Sequence, residues 1–158
     1  MATMQLFGKF SANVLGGEAA ADAGVSDYLS NDIRVTLHTN TWVPNTDTNE
    51  AFADATNELA GGNGYTANGQ ALGTKTAVYA TDRTTFDCAD FSWTASGGSI
   101  GPFRYAVIFD NSVTVGPPIK PLYGFIDVGA GSMTITDGNT VTFQTGANGL
   151  FQGIVTGA

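Results

Sequence analysis

Arg104-Tyr105-Ala106-Val107-Ile108-Phe109-Asp110 and Leu122-Tyr123-Gly124-Phe125-Ile126-Asp127-Val128 decide the fold class of this chain. Both runs are β-branched and aromatic, and both are almost continuously apolar. A strand with one wet face alternates; a strand covered on both faces does not. The two runs therefore read as central strands. Ile33-Arg34-Val35-Thr36-Leu37-His38-Thr39 does alternate, which is the period of a half-buried strand. Further strands are expected over 70–79, 83–95 with an internal break, 132–136, 140–145 and 150–155. Asp137-Gly138 within Thr134–Phe143 supplies the φ > 0 turn of a hairpin. Pro117-Pro118 and Pro121 keep 116–121 out of any central strand.

Two segments carry a helical period. Phe52, Ala55 and Leu59 stand at i, i+3 and i+7, Asp47 and Glu50 have capping-box spacing, and Gly61-Gly62 follows as a stop. A surface α-helix over about 48–60 is expected. Met4, Phe7, Phe10 and Val14 also follow helical spacing, which allows a short N-terminal helix interrupted by Gly8. Many short strands joined by turns give a mainly β chain, an antiparallel β-sandwich or jelly-roll-like domain carrying that surface helix. No linker divides residues 1–158, so they read as one domain, with 1–17 as an N-terminal contact arm.

Composition agrees. Charged residues are 13 % of the 158, against a typical ~25 %. Glycine is frequent, at 21 residues, which suits tight turns. A hydrophobic share of 42 % is enough for a core, so disorder is not expected. The six Lys and Arg are scattered against fourteen Asp and Glu, for a net charge of −8. A nucleic-acid partner needs a basic patch, and none is visible. No apolar run approaches the ~20 residues of a membrane helix. Met1–Phe10 lacks the pattern of a signal peptide, so synthesis in a cytoplasm is expected.

The side chains that carry chemistry are few. His38 is the single histidine and is expected on the polar face of its strand. Cys88, the single cysteine, has no adjacent His, Lys or Arg to activate it and reads as a buried, inert thiol. Asp87 with Asp90, and Asp110 with Asp127, are the carboxylate pairs that folding could bring together. Asp47-Thr48-Asn49 has a fragment of calcium-loop spacing without the following glycine or distal glutamate. Gly61-Gly62-Asn63-Gly64 lacks the Lys-Ser/Thr of a phosphate loop. No catalytic set, cofactor motif or metal-ligand set is expected. Trp42, Trp93 and Tyr65 would make a sugar platform if exposed, although the alternation around Trp93 places it in the core.

Four stretches carry a resemblance: Gly64-Tyr65-Thr66-Ala67-Asn68-Gly69-Gln70-Ala71-Leu72, Phe91-Ser92-Trp93, Arg104–Asp110 and Pro121–Gly129. In this order, over roughly residues 30–155, the chain resembles small virion structural proteins of tailed bacteriophages. The N-terminal segment, richer in Gly and Ala, and the proline-rich loop Gly116–Pro121 depart from that pattern. The resemblance implies a virion setting and a role in assembly without catalysis. A capsid decoration (cement) protein would clamp the major capsid protein from outside, as a homo-oligomer with a trimer favoured. A tail, neck or fibre module and a carbohydrate-binding module are the alternatives. The contact residues expected for decoration are Met4, Leu6, Phe7 and Phe10 in the arm, and Val113, Val115, Pro117, Pro118 and Ile119 in the loop.

Overall fold

The computed structural model describes residues 4–10 and 26–154. Twelve strands run in chain order: β1 (Met4–Leu6), β2 (Ile33–His38), β3 (Gln70–Ala71), β4 (Thr76–Ala80), β5 (Arg83–Asp87), β6 (Phe91–Thr94), β7 (Ile100–Phe103), β8 (Tyr105–Asp110), β9 (Leu122–Asp127), β10 (Met133–Ile135), β11 (Thr140–Phe143) and β12 (Phe151–Ile154). The chain is mainly β and its ladders are antiparallel. The largest sheet has the order β1-β9-β8-β2-β3; the smaller ones are β10-β7, β11-β6 and β12-β5-β4.

As their apolar runs predict, β8 and β9 lie inside the large sheet. β8 is buried at all six positions, between β2 and β9. Ala106 and Ile108 join Ile33, Val35 and Leu37 of β2 in the larger core cluster. That cluster also takes Phe91 and Trp93 of β6, Ile100 and Phe103 of β7, Ile135 of β10 and Phe143 of β11. The smaller sheets thus cover one face. Tyr105, Val107 and Phe109 point the other way, into a second cluster with Phe7, Trp42, Ala55, Leu122 and Phe125. Burying side chains of this size contributes roughly 1.5–3 kcal/mol each.

The expected helix over 48–60 is not formed. Only a 3-10 turn, Phe52–Asp54, appears within it. The peptide groups that a helix needs are bonded to the large sheet instead. Phe52 N–H donates to Lys120 C=O, Glu50 C=O accepts from Leu122 N–H, and Leu59 N–H donates to Leu37 C=O. The i, i+3, i+7 residues do not share a face either. Phe52 stacks on Phe109 at 4.0 Å and Ala55 lies in the second cluster, whereas Leu59 packs on the first. Asn57, with φ 60°, breaks any continuous turn. Asn45 organises the start, accepting from the N–H groups of Asp47 and Thr48, and Asp54 accepts from those of Glu50 and Ala51.

Two other expectations change. The turn at Asp137-Gly138 forms, with Gly138 at φ 77°, but its arms separate. β10 pairs with β7 and β11 with β6, so the turn is a corner between sheets and not a hairpin. Ala95 holds it there, donating to Asn139 C=O and accepting from Gly138 N–H. At the N-terminus, Met4–Leu6 is a strand on β9, in register Met4–Ile126 to Leu6–Gly124, and not the start of a helix. Gly8 and Lys9 form a turn and Phe10 is helical, and residues 11–25, with the remainder of that expected helix, lie outside the described residues.

Gly124 permits this docking. A Cβ there would collide with the Gln5 carbonyl and the Met4 side chain. Gly124→Ala should push β1 off β9 and lower stability by about 1–3 kcal/mol, as overpacking does. Gly131→Ala, where a Cβ meets nothing within 4 Å, is the control and should be near neutral in urea unfolding. Equal stability of the two variants would show that β1 is not held in this register.

Candidate functional site

The polar residues singled out from the sequence are mostly used to hold the fold. His38 is the clearest case and a correction: it is fully buried, not on a wet face. The second face of the large sheet is covered by Trp42 and Phe52, whose rings lie 5.3 and 6.1 Å from the imidazole. Nδ1 bonds to the Thr56 carbonyl at 2.8 Å, and Nε2 to Thr36 Oγ1 at 2.9 Å. A carbonyl only accepts, so Nδ1 carries a proton; in the neutral ring Nε2 then accepts from Thr36 Oγ1, which also lies 3.4 Å from the Val107 carbonyl. Burial holds the pKa below the usual histidine value, against the opposing pull of the Thr56 carbonyl and the Glu58 charge.

Asp110 and Asp127 stand at opposite ends of the β8–β9 ladder, Asp110 opposite Ile33 and Asp127 opposite Tyr105, so folding does not pair them. Buried Asp110 accepts from Ser26 Oγ and Asn31 Nδ2, both at 2.7 Å, and from Ser112 N–H at 2.8 Å. Ser26 Oγ continues to Tyr123 Oη at 2.6 Å. Asp127 receives both Nε and an η-nitrogen of Arg104, at 3.0 and 2.9 Å, and the Gly129 N–H at 2.8 Å. The guanidinium hydrogen bonds lower its pKa most. Asp87 accepts from Cys88 N–H and Asp90 from Thr145 N–H. Cys88 is buried, and burial pushes its thiol pKa up to about 11. A thiol so placed is a poor nucleophile. Among the described residues no group of three or more His, Cys, Asp or Glu could hold a metal ion.

The three aromatics of the sugar-platform reading are buried. Trp42 and Trp93 are each 5 % exposed, and Tyr65 lies in the core with its hydroxyl donating to Glu58 and accepting from Leu37 N–H. A cleft of about 780 Å³ opens between Met4 and Leu6 of β1, Ile126 of β9, Met133 of β10, Val141 of β11 and Phe151 of β12. Its one ionisable lining residue is Asp127, already held by Arg104. Shape and apolarity suit binding; nothing in the lining pairs a nucleophile with a base.

The expected contact residues divide by burial. Met4 and Phe7 are buried in this chain's own clusters, and Leu6 and Phe10 are half-buried against them. Phe10 packs edge-on to Tyr123 and Phe151, at 4.9 and 5.3 Å. In the loop, Val113 is buried, and its carbonyl accepts from Lys120 N–H to close the loop. Val115 and Ile119 project, 50 % and 51 % exposed, with Pro117 exposed and Pro118 half-buried. Sequence reading missed a second apolar surface, the β4–β5 hairpin with Val78 and Tyr79. Its signal was an uncharged Thr-Ala-Val-Tyr-Ala run beside the Thr81-Asp82 turn. No family model, curated protein or solved structure matches this chain.

His38 yields a pH prediction. Its folded pKa is depressed, so above about 6.5 the imidazole is neutral in both states and contributes no pH dependence. As pH falls below about 6.5, the unfolded chain takes a proton that the folded chain refuses, and stability drops. The slope has a ceiling of about 1.4 kcal/mol per pH unit for one proton. Urea unfolding at pH 7.5 and 5.5 should show this loss. His38→Gln should be less stable at pH 7.5 but flatter between the two. An unchanged slope in the variant would assign the dependence to other groups.

Proposed function

We propose that this chain is a virion structural protein, a decoration or cement protein that binds and stabilises the major capsid lattice of a tailed phage. In this reading the large sheet and the smaller sheets facing it form a β-sandwich-like platform. The observation that carries the reading is the loop of residues 112–121. Its base is fixed by the Val113–Lys120 hydrogen bond, and it holds Val115 and Ile119 out to solvent. A rigid domain with apolar contact points is what lattice binding needs; isolated exposed apolar groups are otherwise common on any surface. The engagement of His38, Asp110 and Asp127 in structural bonds also favours binding over catalysis. The phage-like motifs supply the virion setting, with synthesis in the host cytoplasm and location on the capsid surface. Trimers of this chain, assembled on the lattice at its three-fold positions and not in free solution, complete the proposal.

The test is binding to purified capsids lacking this protein. Val115→Asp/Ile119→Asp changes two half-exposed side chains and should leave the unfolding midpoint nearly unchanged. Capsid affinity should fall at least tenfold, because two charges would enter an apolar contact. Equal binding by the double variant would remove the loop from the interface. Binding of the wild-type chain to tails alone would reject decoration in favour of a tail, neck or fibre role.

A further inference from the structure

β4 is an edge strand without the usual protection. All five residues, Thr76–Ala80, are exposed, and β4 is paired on one side only, with β5. Natural edges of this kind are blunted by lysine, proline, bulges or inward charges. β4 has no charge and no proline, and its ladder with β5 is regular. Val78 and Tyr79 are 59 % and 64 % exposed, on opposite faces of the strand.

The turn settles which backbone groups are free. Thr81 and Asp82 have φ of 53° and 58° and lie between the paired residues Ala80 and Arg83. Two central residues with positive φ make a type I′ hairpin. The residues that close such a turn exchange hydrogen bonds, and bonded and non-bonded pairs then alternate. Ala80, Val78 and Thr76 therefore spend their N–H and C=O groups on β5. Ala77 and Tyr79 direct theirs to the open edge.

The side chains have a matching asymmetry. Across the sheet, Ala77 stands opposite Phe86, and Phe86 opposite Phe151. The two phenyl rings stack at 4.6 Å. Ala77 is too small to cover the outer flank of Phe86, which stays half-buried. Tyr79 lies two residues along on the same face, opposite Thr84, with no aromatic ring beside it and its hydroxyl donating to Asp82 at 3.2 Å.

We propose that β4 pairs antiparallel with β4 of a second copy of this chain, about a two-fold axis at Val78. The two three-stranded sheets then become one continuous sheet. Val78 lies opposite Val78 of the other copy, Ala77 opposite Tyr79, and Thr76 opposite Ala80. In this register the free groups of Ala77 and Tyr79 meet as hydrogen-bonded pairs. Each Tyr79 fits over the other copy's Ala77 and reaches its Phe86. Charge favours the same surface: two copies at −8 repel one another, and an uncharged strand is where they approach at least cost. A five-residue pairing buries less than the ~800 Å² per partner of a standard interface, so the dimer alone should be micromolar or weaker. The inference rests on the β4 geometry and is independent of the capsid role.

Sedimentation velocity on the full chain, from about 1 µM to about 1 mM, should show a monomer–dimer equilibrium at a strength in line with this interface class. Val78→Lys, at an exposed site, should leave the fold intact and weaken association at least tenfold, since like charges would face each other. Val78→Cys should form a disulfide-linked dimer on oxidation, because a non-bonded antiparallel pair brings Cα atoms to about 4.5 Å. Ala80→Cys should not cross-link to itself, yet should cross-link to Thr76→Cys. A monomer at every concentration would overturn the proposal. So would association indifferent to Val78→Lys, or Ala80→Cys linking to itself as readily as Val78→Cys.

Discussion

Strand β8 presents apolar side chains to both of its faces, and this double burial governs what must lie around it. Ala106 and Ile108 are satisfied by the smaller sheets; Tyr105, Val107 and Phe109 need a second cover. That cover comes from Phe7, directly after β1, and from Trp42, Phe52 and Ala55, after β2. To lie flat on the sheet, residues 50–59 bond their peptide groups to β2 and to the start of β9. A helix there would withdraw those bonds and swing Phe52 off Phe109. The same cover closes over His38, where burial favours the neutral imidazole.

Local pattern carried much of this into the sequence. The unbroken apolar runs of β8 and β9 correctly marked central strands, and the alternation of Ile33–His38 marked a strand. The alternation misled at His38, because it separates two faces without saying that the second face is dry. Trp42 stands only four residues on but beyond a break that hides its return over the strand, and Phe52 lies farther along the chain. Phe52, Ala55 and Leu59 have a helical period by spacing alone, since they serve two different clusters. Asp137-Gly138 specified a turn but not the partners of its arms, which are chosen by Ile135 and Phe143 entering the core beside β7 and β6. In the candidate contact set, the prolines and projecting Val115 and Ile119 were legible as a loop. The burial of Met4, Phe7 and Val113 was not, because it depends on Gly124 admitting β1 and on the loop closing over itself.

Among the described residues, the side chains that could carry chemistry are mostly committed to holding the fold. His38 and Asp110 lie inside hydrogen-bond networks, Asp127 is tied to Arg104, and the Cys88 thiol is suppressed by burial. The projecting loop of residues 112–121 and the uncharged β4 edge are separate features with separate consequences. The first suits an apolar pocket on a larger assembly. The second suits another copy of the chain, since its free backbone groups are complementary to themselves. Under the proposed decoration role, a domain with both would bind the lattice through one and link neighbours through the other.

The location and copy number of this chain in an electron-microscopy map of intact virions test the assembly role most directly. A decoration role predicts hundreds of copies on the outer capsid shell, on the order of the number of lattice positions, with the 112–121 loop turned toward the major capsid protein. A few copies confined to the tail or neck, or absence from the particle, would contradict it.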